Sequence, residues 1–174
     1  MILKIKKGLT TISGPTRGGK SLWAEKLAKQ NYKVTYLATG LANSKDEQWN
    51  NRIKIHKARR PQNWDLIECS DDLCFTLKHV LKDETLIIDS LGGFVSTHIH
   101  KKDPEWIKLS NSLVNCIIDY PGVIYLVSEE VGWGLVSEYE IGNTFVDRHC
   151  KLSQTINSIS ETSWLVVQGR AINL

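Results

Sequence analysis

The chain has 174 residues, of which 41% are hydrophobic and 24% are charged, and its net charge at pH 7 is +3. A chain of this length and composition is typical of a globular protein with one core, so we expect a single domain spanning residues 1–174. Basic residues concentrate at 52–60, but such a small excess suits a phosphorylated small molecule as well as it suits nucleic acid. The composition therefore gives no reason to expect a nucleic-acid partner.

The sequence predicts neither a membrane span nor an export signal. The longest apolar stretches, such as 86–88 and 164–167, are far too short to cross a bilayer. Residues 1–7 lack the apolar run and the small-residue cleavage site of a signal peptide. The cysteines form no CxxC pair and show no metal-site spacing; they are Cys69, Cys74, Cys116 and Cys150. We therefore expect a cytoplasmic protein with reduced cysteines.

Short apolar runs recur along the chain and predict strands buried on both faces of a parallel sheet. They lie at residues 9–12, 34–37, 86–88, 123–127 and 164–167. Polar-patterned segments between them predict helices at residues 20–29, 46–56, 71–81, 104–118 and 143–159. Because strands alternate with helices, the chain should form βαβ units in an α/β fold of three layers.

Two segments are predicted to be loops. Residues 61–63, Pro-Gln-Asn, follow the basic run and should end the helix before them. Residues 129–142 hold three glycines and several carboxylates, which is typical of a mobile segment.

The turn after the first predicted strand has the GxxxxGK[ST] pattern of a phosphate loop. It lies between a strand and a helix, the context in which this pattern is informative. Glycines let the backbone amides curl around phosphate oxygens, the helix adds its positive N-terminal end, and Lys20 would reach the β- and γ-phosphates. The alternative is a glycine-rich turn without a ligand. The predicted nucleotide-binding residues here are Gly14, Pro15, Thr16, Arg17, Gly18, Gly19, Lys20 and Ser21.

A carboxylate at the end of another buried strand completes the expected site. Asp89 ends the run Thr-Leu-Ile-Ile-Asp, where it would hold Mg²⁺ together with the Ser21 hydroxyl. The alternative is that Asp89 only caps the following turn. With the phosphate loop, this arrangement predicts a P-loop NTPase domain of the RecA-like type, with a mostly parallel sheet.

The segments between and after these two motifs indicate which class of substrate the protein uses. A strand ending in Ala-Thr-Gly is followed by an acidic helix, by RIxxHKxxRP at 52–61, and then by Trp64 and Glu68. Later come Val-Ser-Glu-Glu-Val-Gly-Trp-Gly at 127–134 and a set of spaced residues: Gly142, Phe145, Asp147 and Gln154. In this order the motifs resemble the bifunctional adenosylcobinamide kinase / adenosylcobinamide-phosphate guanylyltransferase family of cobalamin biosynthesis, and the resemblance covers nearly the whole chain.

The resemblance implies that His56 attacks the α-phosphorus of GTP and becomes a covalent GMP carrier. Imidazole is nucleophilic when neutral, and its reference pKa near 6.5 leaves it mostly neutral at pH 7. The alternative is a solvated histidine on a basic helix face. On the resemblance, the catalytic residues are His56 and Lys20.

Further nucleotide contacts follow from the same resemblance, and they are Ala38, Thr39, Gly40, Lys57, Ala58, Arg59, Arg60 and Glu68. The alternatives are an ordinary strand-end turn at 38–40 and a solvent-exposed strand end at Glu68.

The chain departs from the family pattern mainly in its C-terminal half. Glu129 replaces an asparagine, and Asn143 and Val146 replace two arginines that could bind a phosphorylated corrinoid. The residues that hold and attack nucleotide are intact. The departures therefore concern the binding of the second substrate and leave the expectation of nucleotide binding unchanged.

The resemblance implies a kinase step on adenosylcobinamide, followed by transfer of GMP from GTP to adenosylcobinamide phosphate. Mg²⁺ would be the cofactor, with GTP and ATP as substrates, in a small homo-oligomer, often a trimer. The alternatives are a single-activity small-molecule kinase and a non-catalytic GTP- or ATP-binding module on the same fold. Glu129, Glu130 and Glu138 are candidates by type alone for activating the attacking hydroxyl.

Overall fold

A computed structural model describes residues 8–40, 59–69, 72–79, 84–134 and 136–174. Its centre is a seven-stranded sheet in the order β3-β2-β4-β5-β1-β6-β7. The strands are β1 (Gly8–Gly14), β2 (Val34–Ala38), β3 (Asp65–Glu68), β4 (Thr85–Asp89), β5 (Val123–Glu129), β6 (Thr162–Val167) and β7 (Arg170–Asn173). Neighbouring strands pair in parallel, except that β7 runs antiparallel to β6. The predicted mostly parallel sheet is therefore confirmed.

Helices pack against the sheet, and this burial explains why its central strands are continuous runs of apolar residues. They are α1 (Lys20–Ala28), α2 (Leu73–His79), α3 (Leu91–Thr97), α4 (Asp103–Asp119) and α5 (Glu140–Ser158). One core cluster packs Ala24 and Ala28 of α1 against the sheet. A second, larger cluster joins the sheet to residues of the other four helices, among them Leu113 and Ile156. The sheet thus lies between two helical layers, as predicted.

Most predicted elements are present, with shifted ends. Helix α5 begins at Glu140, ahead of the predicted residue 143, and β1 and β5 extend to Gly14 and Glu129. Within the segment predicted as helix at 71–81, residues 73–79 form α2. The helix predicted at 46–56 lies outside the described residues. No helix among the described residues is long and apolar enough to cross a membrane.

Three elements were not predicted: β3, α3 and β7. Strand β3 is a short and mostly exposed edge strand, with two apolar residues between two acidic ones. Helix α3 begins with Leu91-Gly92-Gly93, and two glycines in a first turn disfavour a helix on propensity alone. Strand β7 forms a hairpin with β6 through Gln168 and Gly169, whose φ angles are 51° and 76°. Two positive φ angles match the tight turns that close β-hairpins.

Candidate nucleotide-binding site

The carboxyl ends of five neighbouring strands bring the predicted site residues to one edge of the sheet. Gly14 at the end of β1 is paired in register with Glu129 at the end of β5. Asp89 at the end of β4 is paired with Ala38 of β2, which is in turn paired with Glu68 of β3. Ligands of open parallel sheets bind outside this edge, where the connecting loops gather.

The phosphate loop has the backbone curl that the sequence predicts. Gly14 and Gly19 have φ angles of 151° and 103°, in the region that favours glycine, and Arg17 has a φ angle of 62°. The Gly18 amide donates to the Pro15 carbonyl at 3.0 Å, which closes a tight turn inside the loop. Helix α1 begins directly after this turn, so its positive N-terminal end faces the concave side.

The β6–β7 hairpin supports the loop from behind. A Cβ atom on Gly14 would lie 2.2 Å from the Val166 carbonyl oxygen, and one on Gly18 would lie 2.7 Å from the same atom. The Gly169 amide donates to the Gly18 carbonyl at 2.9 Å. Both glycines are therefore required by close backbone packing, beyond any contact with a ligand.

Lys20 lies across the phosphate loop, where it can neutralise phosphate charge. Its ammonium group donates to the Pro15 carbonyl at 2.9 Å, and the residue is 7% exposed. Ser21 follows it in the first turn of α1 and is half-buried. A lysine at the start of the helix with a hydroxyl next to it is the arrangement that holds β- and γ-phosphates and Mg²⁺ in phosphate-loop proteins.

Asp89 is held by a buried tyrosine from the neighbouring strand. The Tyr36 hydroxyl donates to Asp89 Oδ2, and the guanidinium of Arg60 lies over the Tyr36 ring, 3.4 Å from its centroid. Burial, followed by the charge of Asp89, raises the pKa of Tyr36, so its hydroxyl stays a proton donor. This hydrogen bond engages Oδ2 of the Asp89 carboxylate.

A buried acidic residue of α1 binds the end of the basic segment. Arg59 donates two hydrogen bonds to Glu25, from Nε and Nη2, each 2.7 Å long. These hydrogen bonds raise the pKa of Arg59. Glu25 was not predicted as a site residue. The signal for it in the sequence is an acidic side chain next to Ala24 in α1, in a chain that offers Arg59 and Arg60 as partners.

The loop after β2 is joined to the start of α3. Thr39 is 1% exposed, and its hydroxyl accepts a hydrogen bond from the Ser90 amide at 2.8 Å. A Cβ atom on Gly93 would lie 2.5 Å from Thr39 Oγ1, so a glycine allows this close contact. Glu68 lies farther along the same edge and is exposed. The roles predicted for 38–40 and for Glu68 in binding nucleotide stay predictions.

Glu129 adds a second carboxylate between the phosphate loop and Asp89. Its Oε2 accepts a hydrogen bond from the Gly92 amide at 2.9 Å and lies 3.5 Å from His149 Nε2. Burial alone would raise the pKa of Glu129, but hydrogen bonds from His149 and Ser90 and the charge of Lys20 lower it overall. The carboxylate of Glu129 is therefore ionised beside the phosphate loop.

The structure thus brings most of the predicted site residues to one edge of the sheet. These are the phosphate loop with Lys20 and Ser21, the turn at 38–40, and Glu68 and Asp89. Arg59 and Arg60 lie next to this group, but their guanidinium groups contact Glu25 and Tyr36 of the protein itself. Their predicted contact with nucleotide stays a prediction. His56, Lys57 and Ala58 lie outside the described residues.

Fold and site together define a P-loop nucleotide-binding protein of the α/β class. Solved structures agree on the fold. A prototypical ATPase from the type III secretion system of pathogenic bacteria aligns with 93% of this chain at a TM-score of 0.62 and 11% identity. An ATP synthase subunit from Nanoarcheaum equitans aligns with 94% at a TM-score of 0.59 and 11% identity. The chain spans about half the length of each, 52% and 46%.

Sequence comparison identifies the family. The model of the cobinamide kinase / cobinamide phosphate guanyltransferase family matches residues 10–174. The bifunctional adenosylcobalamin biosynthesis protein CobP of Pseudomonas aeruginosa is 34% identical over 91% of this chain and 92% of its own length. The corresponding protein CobU of Salmonella typhimurium is 26% identical over 94% and 97%. The chain belongs to the cobinamide kinase / cobinamide phosphate guanyltransferase family, and it is an enzyme of the kinase and nucleotidyltransferase type.

Proposed function

We propose that this enzyme phosphorylates adenosylcobinamide and then transfers GMP from GTP, through a guanylylated His56, to adenosylcobinamide phosphate. It would act in the cytoplasm as a single domain that forms small homo-oligomers, for which a trimer is the first hypothesis to test by light scattering. The observation that carries the proposal is that Lys20, the phosphate loop and Asp89 lie at the same edge of the sheet, while Arg59 at the end of the RIxxHKxxRP segment is bound to α1.

The kinase half of the proposal rests on the phosphate loop. Loop amides, the N-terminus of α1 and Lys20 would bind the triphosphate and stabilise the charge that develops during transfer of the γ-phosphoryl group. The substrate hydroxyl attacks the γ-phosphorus while the bond to the β–γ bridging oxygen breaks, and the nucleoside diphosphate leaves with that electron pair.

Ser21 and Asp89 fit a magnesium ion. A hydroxyl and a carboxylate are the hard oxygen donors that Mg²⁺ prefers, and Mg²⁺ completes its octahedron with water and substrate phosphate oxygens. The contact of Tyr36 with Oδ2 of Asp89 would keep the other carboxylate oxygen pointed at the ion. When bound, Mg²⁺ supplies charge neutralisation on the phosphates.

The guanylyl half rests on the anchoring of the basic segment. His56 is close in sequence to Arg59, which is bound to Glu25 of the helix that follows the phosphate loop. The adjacent Arg60 stacks on Tyr36, and Tyr36 contacts Asp89. These contacts hold Arg59 and Arg60 at the site, and they support the proposal that His56, which is close to them in sequence, attacks the α-phosphorus of GTP.

The two transfers of GMP balance without any further reactant. The lone pair of a neutral imidazole nitrogen forms the bond to the α-phosphorus, and pyrophosphate leaves with the electron pair of the broken bond. The proton on the other ring nitrogen passes to solvent, which leaves a neutral guanylylated imidazole. A phosphate oxygen of adenosylcobinamide phosphate then attacks the same phosphorus, and the imidazole leaves as it takes a proton back.

The decisive test is covalent labelling with Mg²⁺ and GTP that carries the label in its α-phosphate. The proposal expects a label that survives base, is lost in acid and is absent from His56→Ala. His100→Ala, which removes an exposed histidine elsewhere on the surface, should keep the label. An unlabelled wild-type protein that still binds GTP would contradict the guanylylated histidine.

Separate assays distinguish the remaining alternatives. Phosphorylation of adenosylcobinamide without conversion of adenosylcobinamide phosphate would show a single-activity kinase. Tight binding of GTP or ATP that is recovered unchanged after long incubation would indicate a non-catalytic module. The proposal expects both conversions, with ATP and GTP compared directly in the first.

A further inference from the structure

The position of Glu129 in the sheet places its carboxylate near the reacting phosphates. Strand β5 lies between β1, which leads into the phosphate loop, and β4, which ends in Asp89. Glu129 is the last residue of β5 and is paired in register with Gly14. Neighbouring strands lie about 4.8 Å apart, so the backbone of Glu129 is one strand away from the loop that holds the triphosphate.

The carboxylate of Glu129 is held in a fixed orientation on its buried side. Oε2 receives the Gly92 amide at 2.9 Å and lies 3.5 Å from Nε2 of His149, a residue that is 1% exposed. A Cβ atom on Gly92 would lie 2.4 Å from Oε2, so a glycine is needed for this approach. The His149 ring is itself stacked on Phe145, with the centroids 5.6 Å apart.

The contacts with Gly92 and His149 leave part of the Glu129 side chain exposed. The side chain of Glu129 is 27% exposed, and a carboxylate offers about four acceptor positions on its two oxygens. The charge of Lys20 acts on this group and favours its ionised form. Glu129 is thus an ionised, oriented acceptor next to the lysine that would bind the γ-phosphate.

The three glutamates that sequence left open as proton acceptors differ in these respects. Glu138 is exposed, and Glu130 follows the strand end and uses its backbone amide to bind Gly14. Asp89, the acid at the end of the neighbouring strand, is bound through Tyr36 and assigned to Mg²⁺. Glu129 is the one held by both a backbone amide and a buried histidine while its charge is coupled to Lys20.

We infer that Glu129 is the proton acceptor for the hydroxyl nucleophile in the kinase step, and that His149 and Gly92 are its positioning residues. As the substrate oxygen forms its bond to the γ-phosphorus, its proton passes to a Glu129 oxygen, and the proton later leaves to solvent. In a loose transition state the hydroxyl loses its proton late, so an ionised carboxylate is a sufficient base. This inference rests on the proposed kinase activity.

The test compares Glu129→Gln, Glu129→Asp and the exposed control Glu138→Gln. For phosphorylation of adenosylcobinamide, Glu129→Gln should lower kcat by about 10²- to 10⁴-fold while KM for the triphosphate changes by less than about threefold. Glu129→Asp should restore part of the rate, and Glu138→Gln should match wild type. Labelling of the protein by GTP should persist in all three, because the imidazole needs no proton removed before it attacks.

The outcomes separate this inference from the proposed function. A Glu129→Gln variant with kcat within about threefold of wild type would overturn the assignment, as would an equal loss of phosphorylation and GTP labelling. If wild-type protein does not phosphorylate adenosylcobinamide, the proposed substrate fails. Glu129 is then judged on hydrolysis of ATP and GTP, in which water is the hydroxyl nucleophile: a drop of at least tenfold in Glu129→Gln supports the assignment, and a smaller one overturns it.

Discussion

The carboxylate of Glu25, buried in the helix that follows the phosphate loop, receives two hydrogen bonds of 2.7 Å from the guanidinium of Arg59. A planar guanidinium matches a carboxylate at both oxygens, so this pair fixes direction as well as distance. Glu25 is 1% exposed. The pair therefore ties the end of the basic segment to the element that positions Lys20.

Glu25→Gln should weaken both the fold and the guanylyl transfer. The amide group would place a donor against the donors of Arg59, and the loss of a charged hydrogen bond should lower the free energy of unfolding by about 2 kcal/mol. Urea unfolding measures this loss, and the rate of covalent labelling by GTP should fall with it. The matched control is Glu140→Gln, an exposed residue of α5. An unchanged labelling rate in a folded Glu25→Gln variant would show that the Glu25–Arg59 pair contributes to stability and not to guanylyl transfer.

Lys20→Met should abolish most phosphoryl transfer while it preserves the fold. Methionine keeps much of the buried stem but supplies no charge for the β- and γ-phosphates, so we expect a loss of about 10²- to 10³-fold in kcat/KM. Titration calorimetry with magnesium GTP should show weaker binding as well. Lys26→Met, an exposed change on the same helix, should retain wild-type affinity. Similar losses in both variants would mean that general positive charge, and not the position of Lys20, binds the phosphates.

Gly14→Ala should destabilise the protein strongly. Its φ angle of 151° disfavours a side chain, and the new Cβ would meet the Val166 carbonyl oxygen at 2.2 Å. We expect a loss of about 3 kcal/mol in the free energy of unfolding. Gly134→Ala, where a Cβ meets nothing within 4 Å, should change stability by less than about 0.5 kcal/mol. Equal effects at the two positions would disprove the close packing at Gly14.

Glu129 should make stability depend on acid pH in a defined direction. Its pKa in the folded protein lies below the ordinary value of 4.5, so the unfolded chain binds the proton more readily. The ionised group thus contributes its full stabilisation above pH 4.5, and this contribution is lost as the pH falls from there through the folded pKa. The difference in unfolding free energy between wild type and Glu129→Gln should be constant near pH 7 and shrink on acidification. A constant difference down to pH 3 would contradict the lowered pKa.

The buried strands and long helices could be predicted because they carry strong local signals. Strand β4 contains Leu86, Ile87 and Ile88, all 0% exposed, and a run of this kind reads as a central strand without any tertiary information. The phosphate loop is equally local, because its sequence pattern lies directly between β1 and α1 and needs no contact with distant residues to be recognised.

The missed elements depend on contacts that are distant in sequence. Helix α3 has two glycines in its first turn and is held in place by Ser90, which accepts from the Gly93 amide, and by Glu129, which accepts from Gly92. Strand β3 gains order from pairing with β2 at the sheet edge. For β7 the sequence carries one signal, the glycine after Gln168, because a glycine that follows an apolar strand is typical of a tight turn.

In the site, the sequence predicts which types of residue are present, but it does not predict which residues contact each other. Asp89 is recognisable as the acid after a buried strand, but its hydroxyl partner Tyr36 follows only from the register of β2 against β4. The same holds for Glu129 and His149, which are brought together by packing of α5 against the sheet edge. Such contacts are set by the topology of the fold, and no spacing between residues in the sequence indicates them.

The hairpin behind the phosphate loop has a consequence for how the protein is made. Val166 and Gly169 complete the loop at Gly14 and Gly18, across almost the full separation between the two ends of the described chain. During synthesis the loop leaves the ribosome long before its support does, and contacts of such sequence separation form late in folding. Nascent chains should therefore acquire nucleotide affinity abruptly, once β6 and β7 have emerged and joined the sheet.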